Sequence, residues 1–342
     1  LEIASNSQCS IKSSNELYVF SILYSLVKAF ANQYNIENTY NSFDELIEHC
    51  EFDAISNATP DPFHKEIALK AINKNKHVFS EKPLAENYHD AKEMYDATKG
   101  TNLINMVNFT YRNSSGYQEL VKVVKSGEIG KVKHVDATYY QSWLTCKYWG
   151  DWKKQDQWLW RLSTKHGSMG TLGDIGVHIF DFASYPVGQI TSINSRLKTF
   201  KDKGEKIGEY VLDANDTFIS MIEFDNGAIG TVSATRFATG FKDRLDLKIF
   251  GDLGAVKIGF EDPIEEGNQC QITKDTERER GKSDKLKWDT INTKPTPNNF
   301  ERFIESIKSK TNDQPDFKRG AEIQKILDSC IKSSEENKWI AL

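Results

Sequence analysis

The sequence predicts an α/β chain in two parts, a doubly wound parallel domain over residues 1–112 and a domain with a large, mostly antiparallel sheet over 113–342. Up to about Asn108, short apolar runs alternate with amphipathic segments, the pattern of βαβ units. After "SGEIG" (126–130) the texture changes to longer alternating strands separated by turn residues. A length of 342 residues suits about two domains of ~150 residues each.

In chain order, "LYVFS" (17–21) reads as a strand, "LVKAFANQY" and "FDELIEHC" as helices, and "FDAISNA" (52–58) as a strand. A helix "HKEIALKAINKN", a strand "HVFSE" (77–81), a helix "NYHDAKEMYDATK" and a strand "NLINMVNF" (102–109) follow. Buried runs joined by helices of this length favour parallel pairing. "SSGYQELVKVVKSGEIG" is a helix closed by glycine. Beyond it, "KVKHVDATYYQSW", "QITSINSRLKTF", "ANDTFISMIEFDNGAIGTVSATRFATG" and "RLDLKIFGDLGAVKIGFED" are β-rich, with Asp225-Asn226-Gly227 and Asp252-Leu253-Gly254 at hairpin turns. One helix, "MGTLGDIGVHIFDFASY" (169–185), interrupts the strands, and helices near 297–309 and 318–334 close the chain, placed to pack back on the first domain.

Composition removes several function classes. A net charge of −5 with no Lys/Arg-rich block gives no general attraction for nucleic acid. No apolar run approaches the ~20 residues of a membrane span and no signal pattern opens the chain, so a soluble cytoplasmic protein is expected. Five scattered cysteines without C-x-x-C spacing suggest neither a disulfide framework nor a zinc site, and are expected as free thiols.

The chemistry is expected beyond the carboxyl ends of the parallel strands. Glu81-Lys82-Pro83 follows "HVFS" directly, and proline stiffens the turn that aims Lys82. A fixed lysine suits proton transfer or orientation of a hydroxyl, while a solvated turn lysine is the plain alternative. In "GTLGDIGVHIFD", Asp174, His178 and Asp181 share helical spacing and one expected face. Histidine shuttles protons at neutral pH and a carboxylate can orient it, against the plain reading of a satisfied core histidine. No third ligand of convincing spacing suggests a metal. In "NATPDPFH", Thr59 and Pro60 form a strand-to-helix turn at the same sheet edge and His64 opens the helix. In "WLWRLSTKHGSMG", Trp160 reads as core and Arg161 as a group that could meet phosphate, carboxamide or substrate oxygens. The stretch "YWGDWKKQDQWLWR" (148–161) gathers aromatics and charges in one loop.

In order, "ATPDPFH", "SEKPLAEN", "NFTYRN", "SGEIGKV", "WLWRLS", "GTLGDIGVHIFD" and "FDNGAIGTVSATRFATG" resemble the Gfo/Idh/MocA family, the glucose-fructose oxidoreductase and inositol dehydrogenase-like enzymes, from about Leu17 to the C-terminus. The resemblance implies a Rossmann domain holding NAD or NADP, and a C-terminal sheet that makes a homodimer or homotetramer. It implies hydride transfer at a sugar-like carbinol, with Lys82, Asp174 and His178 catalytic. It further implies cofactor contacts from Ser21, Thr59, Pro60, His64, Glu81, Asn108, Trp160 and Arg161, and a substrate contact from Arg112 beside the catalytic trio. One departure is plain: residues 1–16 hold no glycine, so the G-x-G-x-x-G turn that cradles a pyrophosphate is absent or degenerate in this sequence. Ile22, where an acidic residue or an arginine would read the ribose, offers neither. A non-enzymatic sugar- or nucleotide-sensing regulator of the same fold and an NAD-dependent glycosidase-type enzyme are the competing functions.

Overall fold

The computed structural model describes residues 9–12, 17–20, 31–261, 269–274, 276 and 287–342. Contacts divide the chain into two units, one running to Phe109 and including Asn299–Gln324, the other Thr110–Asn298 with Lys325–Leu342. The first carries a six-stranded sheet in the order β3-β2-β1-β4-β5-β6. Its strands are β1 Cys9–Lys12, β2 Leu17–Phe20, β3 Asn38–Tyr40, β4 Ala54–Asn57, β5 His77–Ser80 and β6 Asn105–Val107. β4, β5 and β6 run parallel, as do β2 and β3.

The helices between these strands follow from their patterns. The helix His64–Asn73 buries His64, Ile67, Ala68, Ala71 and Ile72, the i, i+3, i+4, i+7, i+8 stripe of a half-buried helix. The helix Tyr88–Thr98 starts where the Asn87 side chain accepts the Asp90 amide at 2.9 Å. Phe300, Phe303 and Ile307 of the helix Asn299–Ser309 complete a core around Phe79, Ile104 and Met106. The sheet is mixed rather than wholly parallel. β1 lies between β2 and β4 and is antiparallel to both. Only four residues separate β1 from β2, and a connection that short can return the chain only antiparallel.

The second unit is built on nine strands in the order β16-β15-β14-β13-β7-β12-β11-β8-β17. They are β7 Val132–Gln141, β8 Ile190–Lys198, β11 Thr217–Phe224, β12 Ile229–Thr235, β13 Asp243–Gly251, β14 Ala255–Phe260, β15 Gln269–Thr273, β16 Asp289–Asn292 and β17 Ile340–Ala341, while β9 Lys206–Ile207 and β10 Tyr210–Val211 pair separately. All neighbours in the large sheet are antiparallel except β7 and β12. Alternation sets the inner face: β11 buries Phe218, Ser220, Ile222 and Phe224 and turns Ile219 and Met221 outward. The helices Ser115–Lys125 and Val177–Ser184 cover that face, Tyr117 stacking on Phe182 at 3.9 Å and Phe180 on Phe218 at 5.6 Å. The β11–β12 hairpin turns at Asp225–Gly227, where Gly227 holds a φ of +83°. No helix among the described residues is long and apolar enough to cross a membrane.

Candidate active site

β4, β5 and β6 deliver their carboxyl ends to one edge of the first sheet, and Lys82 is set two residues beyond the end of β5. The turn is tied to both neighbouring strands, because Glu81 N donates to Asn57 O at 2.9 Å and Asn108 N to Ser80 O at 2.8 Å. Side chains continue the work: Asn299 Nδ2 donates to Asn108 Oδ1 (3.3 Å), Asn108 Nδ2 to Glu81 Oε1 (2.6 Å), and Lys82 N to Glu81 Oε2 (3.2 Å). The half-buried Lys82 therefore leaves a backbone fixed on its amide side.

His64 is fully buried, its Nδ1 2.8 Å from Pro83 O and its Nε2 2.7 Å from Thr59 O. Asn57 holds the same turn, donating to His64 O at 3.1 Å and accepting from Thr59 Oγ1 at 2.7 Å. Thr59 and Asn108 are buried and Pro60 is exposed. Ser21 and Ile22 lie outside the described residues. Thr59, Glu81 and Asn108 form a hydrogen-bonded polar edge at these strand ends. No glycine precedes Gly100 in the sequence, so the described residues do not supply a glycine-rich pyrophosphate turn. Elsewhere in this unit, ligand atoms of His89, Asp90 and Glu93 lie within 4.8 Å of one another, but the Lys65 ammonium stands 2.6 Å from both carboxylates, where a cation would sit.

In the second unit, Asn215 organises the approach to Asp174. It donates to Met169 O at 2.7 Å, accepts from Leu172 N at 3.0 Å, and its carbonyl takes Thr171 N at 2.8 Å. Gly170 passes it with a φ of +67°, where an added Cβ would stand 2.5 Å from Asn215 O. The chain then makes one π-helical turn, Leu172–Gly176, before the α-helix Val177–Ser184. π-turns of this kind concentrate at functional sites.

Two arginines hold Asp174. Arg161 Nη1 donates to Oδ1 and Arg236 Nη2 to Oδ2, each at 2.9 Å, and Arg236 Nη1 also donates to Arg161 O at 3.2 Å. Arg236 is completely buried over the Trp143 ring, and burial lowers its pKa although Asp174 pulls the other way. Arg161 lies over Trp160 at 4.7 Å. With both oxygens taken by guanidinium donors, Asp174 is suited to hold charge and geometry rather than to exchange a proton. His178, nearly buried, packs on the Tyr111 ring at 4.6 Å. The Tyr111 and Tyr139 hydroxyls are hydrogen-bonded, and burial, then Tyr111, lifts Tyr139 well above the usual phenol range.

Asp181, expected on the face of Asp174 and His178, serves a different arginine. Arg112 Nε and Nη2 donate to its two oxygens at 2.7 and 2.6 Å, and the same guanidinium covers the Tyr185 ring at 3.5 Å. Burial opposes the Arg112 charge, yet Asp181 more than offsets this and raises its pKa. Trp152 of the aromatic stretch lies with Trp143 in a core with Leu144, Leu159, Leu162 and Leu212, against which Trp149 and Trp158 pack. Arg236, Asn299, Tyr111 and Tyr139 were not singled out from sequence. The available signal for Arg236 was a charge placed directly after the alternating strand "IGTVSAT".

Comparison with known proteins matches residues 13–109 to the oxidoreductase family with an NAD-binding Rossmann fold, and residues 117–257 to the GFO/IDH/MocA C-terminal domain. A levoglucosan dehydrogenase of Pseudarthrobacter phenanthrenivorans is 27% identical over 91% of this chain and 85% of that protein. A scyllo-inositol 2-dehydrogenase (NAD(+)) of Bacillus subtilis is 27% identical over 75% of this chain and 69% of its own length. The solved structure of levoglucosan dehydrogenase in complex with NADH and levoglucosan superposes with a TM-score of 0.82 at 27% identity, covering 95% of this chain and 90% of that one.

Proposed function

The chain belongs to the Gfo/Idh/MocA family of oxidoreductases, and from that premise we propose that it moves a hydride between a nicotinamide dinucleotide and a carbinol carbon of a sugar, polyol or related cyclic hydroxyl compound. The observation that carries the reading is Asp174 pinned by Arg161 and Arg236 one turn before His178, in a chain that also fixes Lys82 at the end of a parallel strand. When bound, the dinucleotide supplies the hydride acceptor or donor. The protein's own residues handle the proton. In oxidation the C–H electron pair leaves as hydride, the hydroxyl proton passes to His178, and the Lys82 ammonium stabilises charge developing on oxygen. Reduction retraces these steps. Asp174 keeps a fixed negative charge beside the histidine helix and changes neither partner nor protonation.

NAD is the cofactor this reading favours, supported by the NADH-bound structure and by the name of the inositol enzyme. A homodimer or homotetramer would close over the outer face of β11 and β12, where Ile219, Met221 and Ile229 are 58%, 47% and 55% exposed. The free thiols of Cys50, Cys146, Cys270 and Cys330 support a cytoplasmic setting. Replacing Ile219 and Met221 by lysine should convert the oligomer to monomers in sedimentation, and a wild-type protein already monomeric at micromolar concentration would sink the assembly.

The function is tested by assaying levoglucosan, myo- and scyllo-inositol, and other sugars for NAD(P)H absorbance with each cofactor. On the best substrate, Lys82→Met and His178→Ala should each lower kcat by roughly 10²–10⁴-fold with little change in dinucleotide affinity. A folded Lys82→Met protein that turns over at the wild-type rate would return Lys82 to an ordinary turn residue.

A further inference from the structure

We infer that His64 is a positioning residue for Lys82, acting through the Pro83 carbonyl. The inference deepens the dehydrogenase reading and rests on it. Both ring nitrogens of a fully buried imidazole face main-chain carbonyl oxygens, Pro83 O at 2.8 Å and Thr59 O at 2.7 Å. Carbonyl oxygens only accept, so a neutral ring can satisfy one of them and a doubly protonated ring both. Either way the ring links two turns, the one leaving β4 and the one leaving β5. Neighbouring bonds fix the rest of that link: Asn57 orients the Thr59 turn through Thr59 Oγ1 and holds His64 by its own carbonyl, while Glu81 N donates to Asn57 O.

Lys82 sits inside this clamp. Its amide donates to Glu81 Oε2 at 3.2 Å, and the carbonyl of the next residue is the one His64 grips. The lysine backbone is thus secured on both sides of its Cα. His64 has no exposed surface with which to touch substrate. Its effect on the reaction therefore runs through the direction in which the Lys82 stem leaves the turn. A misplacement near 1 Å can cost about 10²-fold in rate without weakening binding, because orientation is what a proton-handling group contributes.

The test compares His64→Leu, His64→Gln and Lys82→Met in the full chain, using the sugar or inositol with the highest turnover in the assay above. His64→Leu, which cannot donate at all, should lower kcat roughly 10- to 100-fold while KM for sugar and dinucleotide stays within about twofold. His64→Gln, whose single amide nitrogen serves one carbonyl, should recover part of that loss. In a Lys82→Met background, His64→Leu should add almost nothing, since it acts through the missing lysine. A folded His64→Leu protein with wild-type kcat would overturn the inference, as would a His64→Gln protein no better than His64→Leu or full additivity with Lys82→Met. Loss of the fold in both variants would reduce His64 to a structural brace. If Lys82→Met itself keeps wild-type turnover, the dehydrogenase assignment of Lys82 fails, an outcome distinct from the others.

Discussion

The Lys82 turn and the Asp174–His178 helix are immobilised by opposite means. Around Lys82 the ties are amides, carbonyls and one buried imidazole, with Glu81 the single carboxylate among them. Around Asp174 and His178 they are ion pairs withdrawn partly or wholly from water: the partly exposed Arg161 and the buried Arg236 on Asp174, and Arg112 on Asp181 in the buried pair one turn beyond His178. A neutral hydrogen bond contributes about 1 kcal/mol net, so the first site is held by many small terms, any one of which can be lost. A buried ion pair is nearly balanced when whole and costly when halved. The second site is therefore held by few terms, each with a large penalty for removal.

The largest effect that could break this contrast is at Asp181. Asp181→Ala leaves the Arg112 guanidinium, 1% exposed, without its carboxylate, and should destabilise the second unit by about 3–5 kcal/mol. All seven tryptophans fall in that unit, so the urea midpoint followed by tryptophan fluorescence reads the loss directly. Asn108→Ala, which cuts the Asn299–Asn108–Glu81 chain, should cost the first unit only about 1 kcal/mol. Equal losses from the two substitutions would abolish the distinction.

Smaller effects sharpen it within the second site. Arg236→Lys keeps the charge but not the fork that reaches both Asp174 Oδ2 and Arg161 O, and should lower kcat roughly 10-fold, short of what complete mispositioning can do. Asp174→Asn should have an effect of similar size and smaller than that of Lys82→Met or His178→Ala, because Asp174 orients and does not transfer. A kcat for Asp174→Asn as low as that of His178→Ala would mean that the carboxylate itself carries the proton.

How far the sequence could be read follows the same division. Local devices were legible: the i, i+3, i+4 stripe of His64–Asn73, the Asp225-Asn226-Gly227 turn, and a strand ending at Glu81-Lys82-Pro83 all lie within a few neighbouring residues. β1 and β3 were missed because "CSIK" and "NTY" are too short to show a period. Arg236 and Asn299 were missed because their partners Asp174 and Asn108 lie 62 and 191 residues away. Straight helical spacing put Asp181 with Asp174, whereas a π-helical turn intervenes, and Asp174 meets Arg161 and Arg236 while Asp181 meets Arg112. The tryptophans of 148–161 read as surfaces for a sugar ring, yet Trp152 lies in a core with Trp143, Leu144, Leu159, Leu162 and Leu212, the last some sixty residues further along.

The smallest predicted effect concerns a second histidine of the first unit, His77, which opposes His64 in hydrogen-bond sense. His64 faces two acceptors, whereas His77 Nδ1 accepts the Ile104 amide at 2.8 Å and so joins β5 to the start of β6 only while that nitrogen is unprotonated. Burial lowers its pKa from the ordinary 6.5, with Asp53 pulling weakly the other way. Above pH 6.5 the ring is neutral folded or unfolded, and its contribution, about 1 kcal/mol for one hydrogen bond, is fully present. Below that value the unfolded chain takes up the proton first, so the contribution shrinks as pH falls and is gone once the lower folded value is passed. Protection of the Ile104 amide against hydrogen exchange, corrected for the intrinsic rate, should decline from pH 7.5 to about 5.5. His77→Gln, whose amide oxygen can accept the same bond without titrating, should flatten the profile. If the two proteins lose protection in parallel, the acid sensitivity belongs to carboxylates elsewhere in the unit, and His77 is no more than a filler between β5 and β6.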